Sequence, residues 1–181
     1  MALRATIYKI ALNVADMNRH HYATYPLTVA RHPSETDERM MVRVLAFALN
    51  AHENLSFTKG ISDADEPDLW LKDLTGAIQN WVEVGQPDEK RLLKAVGKSS
   101  QVKVYCYGGS ASRIWWEGIK ARLARSNKFQ IFNFPLESIQ MLAKTANRNL
   151  TLHVTIEEST MTVIAEDQTF TINVESWTSN H

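Results

Sequence analysis

Apolar and polar residues alternate with a period of two over residues 5–14 and again over 22–30, with Asp16-Met17-Asn18 between the runs. Successive side chains of a strand face opposite ways, so this pattern predicts an opening antiparallel hairpin. The period then lengthens. Met41, Val44, Leu45 and Ala48 recur at helical spacing, and Pro33-Ser34, with Asp37 three residues past Ser34, reads as the entry of that helix in the manner of a capping box. Glu38, seven residues before Leu45, is expected near the inner edge of the apolar stripe.

An acidic loop, Ser62-Asp63-Ala64-Asp65-Glu66-Pro67-Asp68, leads into a short strand over 69–71, a turn over 73–76 and a strand over 77–84. In the second strand Ile78, Asn80, Val82 and Val84 share one face, while Gln79, Trp81, Glu83 and Gly85 share the other. Pro87 suits the first position of a helix, with Asp88 and Glu89 at its positive end and Leu92, Leu93 and Val96 on its apolar side. A strand over 102–107, a helix over 111–125, a strand over 129–134 and a helix over 136–147 follow. The tail alternates again over 150–156, 161–165 and 169–174, the pattern of a meander. No Pro/Gly/Ser linker or internal repeat divides the chain. The expected fold class is α/β (α+β): one domain over residues 1–181, with a mixed sheet flanked by helices and antiparallel strands added from both termini.

Composition narrows the functional classes. At 181 residues, 44% hydrophobic and 22% charged, the chain is ordinary globular material, which excludes a disordered or fibrous protein. No apolar run approaches ~20 residues and the first residues lack a signal-peptide core, so a soluble, cytoplasmic protein with no membrane partner is expected. The single cysteine, Cys106, cannot form an internal disulfide; in a strand with no triad beside it, it reads as a buried, inert thiol. Twenty basic and twenty acidic side chains cancel, but unevenly. Residues 32–83 carry ten acids and four bases, residues 85–128 three acids and ten bases, and residues 150–181 five acids and no base. A local basic surface beside an acidic cluster is one consequence; solvated Lys and Arg faces on helices are the other.

Asp68 and Glu83 flank the predicted hairpin formed by residues 69–71 and 77–84, and pairing of those strands brings the two acids together. Hard cations such as Mg²⁺ take oxygen ligands, often from only one or two protein carboxylates, and leave room for water and a substrate phosphate. A solvated or salt-bridged acid at a strand end is the plainer alternative. The motifs Arg31-His32-Pro33-Ser34-Glu35-Thr36, Glu38-Arg39-Met40-Met41, Asp65-Glu66-Pro67-Asp68-Leu69-Trp70-Leu71, Trp81-Val82-Glu83-Val84-Gly85-Gln86-Pro87-Asp88-Glu89-Lys90-Arg91, Lys94-Ala95 and Ile114-Trp115-Trp116 resemble those of the bacterial YaeQ family over essentially the whole length. That family is described as a variant of the PD-(D/E)XK nuclease fold, so the resemblance implies a metal-dependent phosphodiesterase scaffold.

By this resemblance Pro67-Asp68 occupies the PD position and Glu83 the (D/E) position, the Val84 carbonyl is a further metal ligand, and Glu38 corresponds to an additional acid on the first helix. The implied cofactor is Mg²⁺ or Mn²⁺ and the implied partner is nucleic acid. One position departs from the pattern: where lysine is expected, two residues after Glu83, this chain has Gly85. Some nucleases of this fold place the cation on the following helix, where Arg91 and Lys94 lie three apart; Lys94 is the preferred replacement, able to stabilise charge developing on phosphate oxygens. The other reading is a catalytically silent module on the same scaffold that binds nucleic acid or protein, with a transcription-related role as one form of it. Gly85 and the zero net charge favour that reading.

Other features carry less. The histidines His20, His21, His32, His52, His153 and His181 lack zinc-site spacing, and only His32 lies inside one of the motifs above. Gly108-Gly109-Ser110 before a helix reads as a tight turn or an anion seat. Trp115 and Trp116 lie beside Lys120, Arg122 and Arg125; adjacent helical residues point about 100° apart, so at most one of the pair is placed to stack on a base and the other belongs to the core.

Overall fold

The computed structural model describes residues 3–59 and 63–178; Ser62, the expected start of the acidic loop, and His181 lie outside the described residues. The chain divides into two compact units, Met1–Ala51 with Glu137–Val174, and His52–Leu136 with Glu175–His181.

In the first unit, β1 (Thr6–Asp16) and β2 (His21–Arg31) form the predicted hairpin, paired from Thr6 opposite Arg31 to Asp16 opposite His21. Its turn is fastened by the buried Asp16 carboxylate, which accepts from the backbone N–H groups of Asn18 and Arg19 and from Arg19 Nε at 2.7 Å. Next comes α1 (Asp37–Leu49), buried from Met40 through Ala48. Its N-cap is Thr36, whose hydroxyl accepts from the Arg39 N–H at 3.2 Å, and not Ser34. The strands β8 (Asn149–Glu157), β9 (Thr160–Ala165) and β10 (Gln168–Asn173) are the expected meander. They join the hairpin in a five-stranded sheet of order β10-β9-β8-β1-β2, in which β8 runs parallel to β1. One face of that sheet is buried, with Ile10, Leu12, Leu152, Val154, Met161 and Val163 at its centre. The alternation in the sequence foretells this face directly.

The second unit holds a six-stranded sheet of order β11-β7-β6-β5-β4-β3. Its middle is parallel: β5 (Ile78–Val84), β6 (Ser99–Cys106) and β7 (Phe129–Asn133) are joined by α2 (Glu89–Lys98) and α3 (Ser110–Leu123) as crossovers. The edges are antiparallel, formed by β4 (Leu69–Lys72) and β3 (Leu55–Phe57) on one side and by the two-residue β11 (Glu175–Ser176) on the other. Both crossover helices press apolar side chains onto one core, where Leu92, Ala95 and Leu123 meet Trp81, Val102, Val104, Cys106, Phe129 and Ile131. Parallel strands require such crossovers, and in β6 Val102, Val104, Tyr105 and Cys106 are buried while Lys103 stays half-buried. The Cys106 thiol, pushed up to about 12 by burial, is the inert group expected.

Three further expectations change. The strands lie in two mixed sheets, not one, because alternation fixes which face of a strand is buried but not which strand becomes its neighbour. The helix predicted over 136–147 ends early: α4 (Leu136–Ala143) is closed by the Thr145 hydroxyl, which donates to the Leu142 carbonyl at 2.7 Å. The N-cap of α2 is Asp88, so Pro87 stands before the helix and not at its first position. The short β3 and β11 had no sequence signal.

Candidate functional site

Asp68 stands one residue before β4 and is held in the sheet from both sides. Its N–H donates to the Val82 carbonyl at 3.0 Å and its carbonyl accepts from the Thr58 N–H at 3.2 Å, while the Thr58 hydroxyl donates to the Pro67 carbonyl. Leu69 pairs with Val82, and the Asp68 N–H reaches the same Val82, so Asp68 meets β5 beside Glu83, near enough for its charge to act on that carboxyl. Both carboxylates are buried.

The two acids have different partners. Asp68 Oδ2 accepts from the Val84 N–H at 2.8 Å. Glu83 Oε1 accepts from the indole N–H of Trp81 at 2.8 Å and from Arg91 Nε at 2.7 Å. Trp81 and Glu83 are neighbours on the face assigned to them by alternation, the face that α2 covers. Arg91 is anchored in turn: its two terminal nitrogens donate to the carbonyls of Ala64, at 2.8 Å, and Glu66, at 2.6 Å. The guanidinium therefore ties the acidic loop to the central strand. Even with this cation beside it, the Glu83 carboxyl is pushed up from its ordinary 4.5 to about 7, first by burial and then by the charge of Asp68, with Arg91 and Trp81 pulling the other way. Burial is the main cause, and the repulsion of Asp68 adds to it.

The two predicted cations separate. Arg91 contacts Glu83, whereas Lys94 pairs on the surface with Asp65, which it holds below the usual carboxylate range. Gly85 has φ +98°, a conformation that side-chain-bearing residues rarely adopt, and its N–H donates to the Tyr105 carbonyl at 2.9 Å. The chain turns out of the strand immediately after Val84, which gives a physical reason for glycine where lysine was expected.

A family model described as "YaeQ protein" matches residues 1–174. The chain belongs to the YaeQ family. A relative from Salmonella typhi, described as an uncharacterized protein YaeQ, is 38% identical over 177 residues, 98% of each chain. The crystal structure of YaeQ from Xanthomonas axonopodis pv. citri superposes with a TM-score of 0.94 at 37% identity, over 97% of this chain and 99% of that one. That of the Pseudomonas syringae YaeQ protein gives 0.93 at 35% identity, over 97% of each. None of these names states an activity.

In this YaeQ-family chain the cluster of Asp68, Glu83 and Arg91, with Val84 beside them, is built by the second unit alone. Glu38 belongs to the first unit, half-buried on α1 as its spacing predicted. Among the described residues no three His, Cys, Asp or Glu side chains form a ligand set, so a metal here would rest on two carboxylates. His32 has a local role: its Nδ1 lies 2.7 Å from the Ser34 hydroxyl and accepts from the Ser34 N–H in the turn before α1. Sequence reasoning did not assign a role to Trp81, whose donation to Glu83 is signalled by its place two residues earlier on the same strand face. Nor did it find the carbonyls of Ala64 and Glu66, since backbone acceptors leave no trace in composition.

Proposed function

We propose that the chain is a nuclease-like protein, a Mg²⁺- or Mn²⁺-dependent phosphodiesterase acting on nucleic acid, with Asp68 and Glu83 as the metal-holding acids. The observation that carries this reading is the meeting of two buried carboxylates: burial and the repulsion of Asp68 together raise the Glu83 carboxyl despite the Arg91 bond. A divalent cation relieves that repulsion. The donors are hard oxygens, the two carboxylates with the Val84 carbonyl, and suit Mg²⁺ or Mn²⁺ with water and phosphate oxygens completing the shell. When bound, the ion supplies Lewis-acid polarisation of the phosphodiester and a more acidic water.

The protein's own share is charge and position. Backbone bonds on both sides fix Asp68 in the sheet, and the Val84 N–H orients its carboxylate. Arg91 fills the role of the missing strand lysine through its contact with Glu83, with Lys94 further out on the same helix. A second reading, the catalytically silent binding module, is favoured by one feature: Glu83 Oε1 is already held by both Trp81 and Arg91, and Arg91 is itself tied to two carbonyls.

Calorimetry with Mn²⁺ and Mg²⁺ on the parent chain, Asp68→Asn and Glu83→Gln tests the metal site. Binding that is lost in both variants supports it; binding that survives both removes it. A metal-dependent cleavage screen on single-stranded and duplex DNA and RNA then separates the readings, since the silent module leaves every substrate intact. Arg91→Met sharpens the result: the enzyme loses turnover while retaining or tightening Mn²⁺ binding.

A further inference from the structure

The second unit contains a cavity of about 640 Å³ that shares none of its lining residues with the carboxylate cluster. We propose that this cavity binds a nucleotide, with the base against Trp116 and Trp177 and the phosphate toward Lys120. Its volume falls within the range of small-ligand sites.

Three observations point to this chemistry. The first is the separation of the adjacent tryptophans of α3. The Trp115 indole N–H donates to the Pro87 carbonyl at 2.8 Å and so fastens the helix to the chain entering α2. Trp116 instead lines the cavity, near-parallel to Trp177 at 24° with ring centroids 6.2 Å apart. Its indole N–H donates to no group among the described residues.

The second is rigidity. The Trp177 backbone N–H donates to the Ile131 carbonyl at 2.8 Å, its indole N–H donates to Glu175 at 2.9 Å, and the Arg113 guanidinium lies 5.5 Å from the ring centroid. Arg113 in turn bonds both carboxylate oxygens of Glu175 at 3.1 Å. A stacking surface fixed before binding loses little entropy on binding.

The third is charge. The cavity lining includes the amides of Gln101 and Gln130, which supply donors and acceptors for a base edge, and contains no acid. The cation of the lining is the exposed Lys120, which pairs with Glu117 one turn earlier on α3. Aromatic faces beside cations are the usual means of holding a base and its phosphate together.

The test uses the full chain at low salt in EDTA, so its outcome is independent of the carboxylate site. Calorimetry compares 5′-AMP with adenosine and ribose 5-phosphate, and anisotropy follows a fluorescein-labelled dT10. The expected result is binding of AMP above both fragments, a loss of about tenfold in Trp116→Ala, near-parent affinity in Trp116→Phe, and weaker, less salt-dependent binding in Lys120→Gln. Tighter binding of dT10 than of 5′-TMP assigns the cavity to single strands, and equal binding assigns it to free nucleotides; both support the site. Ribose 5-phosphate binding as tightly as AMP, unchanged AMP affinity in a folded Trp116→Ala, or no binding of AMP and dT10 at millimolar concentration overturns it. Lys120 is exposed, so Lys120→Gln remains informative should Trp116→Ala fail to fold, and unchanged AMP affinity there counts against the proposal.

Discussion

Each unit of the protein buries a glutamate against an arginine, and the two pairs differ in kind. In the first unit Glu35 receives the whole fork of Arg43, Nε on one oxygen at 2.8 Å and Nη2 on the other at 2.7 Å, with Arg39 adding a bond at 3.1 Å. Arg43 also donates to the Ala30 carbonyl, so this pair seats α1 on the end of β2. In the second unit Glu83 receives Arg91 on Oε1 only and lies in the field of a second buried carboxylate, Asp68. The first acid is held by two guanidinium groups, and the second by one while a neighbouring carboxylate raises its proton affinity. Burial of an acid is therefore not what marks a candidate site; a second acid beside it is.

The contrast can be broken most severely at Arg43. Arg43→Met leaves Glu35 buried with only Arg39 beside it, and an unfolding midpoint in denaturant should fall by the equivalent of ~3 kcal/mol. At Glu83 the sign reverses with pH. Its folded-state carboxyl titrates near 7 against an ordinary 4.5, so between those values the folded chain holds a proton that the unfolded chain has released. Stability therefore falls as pH rises through that window, by up to ~3 kcal/mol at about 1.4 kcal/mol per pH unit. Glu83→Gln should flatten this slope and make the chain more stable than the parent at pH 8. A slope that persists in the variant would show that another group is responsible.

Smaller effects sharpen the comparison. Gly85→Ala places a side chain in open space but at φ +98°, and should cost ~1–2 kcal/mol in the same denaturation measurement from backbone strain alone. Lys94→Gln breaks only an exposed pair with Asp65, and the unfolding midpoint should not move. A large loss at Lys94 would mean that this lysine, and not Arg91, carries the charge balance of the cluster.

How much of this was legible follows from the physics of each signal. The opening hairpin, the βαβ crossovers and the tail meander were visible because hydrophobic period is a local property and burial of one face enforces it. Asp68 and Glu83 were visible as a pair because a strand, a turn and a strand lie between them, so chain connectivity alone nearly decides their meeting. Arg91 and Lys94 were indistinguishable by spacing. They differ in which of them reaches Glu83, and that depends on where the 64–66 loop presents its carbonyls. Trp115 and Trp116 were likewise separated only by the position of the Pro87 carbonyl.

The sequence by itself determined the element types, the buried faces and the family, all of which rest on patterns read along the chain. Only the tertiary structure decided the partition of strands into two sheets, the choice of Arg91 over Lys94 and the pairing of Trp116 with Trp177. Each of these depends on groups distant in sequence, several of them backbone carbonyls, which every residue carries, and N–H groups, which every residue except proline carries, so that they leave no signature in residue order.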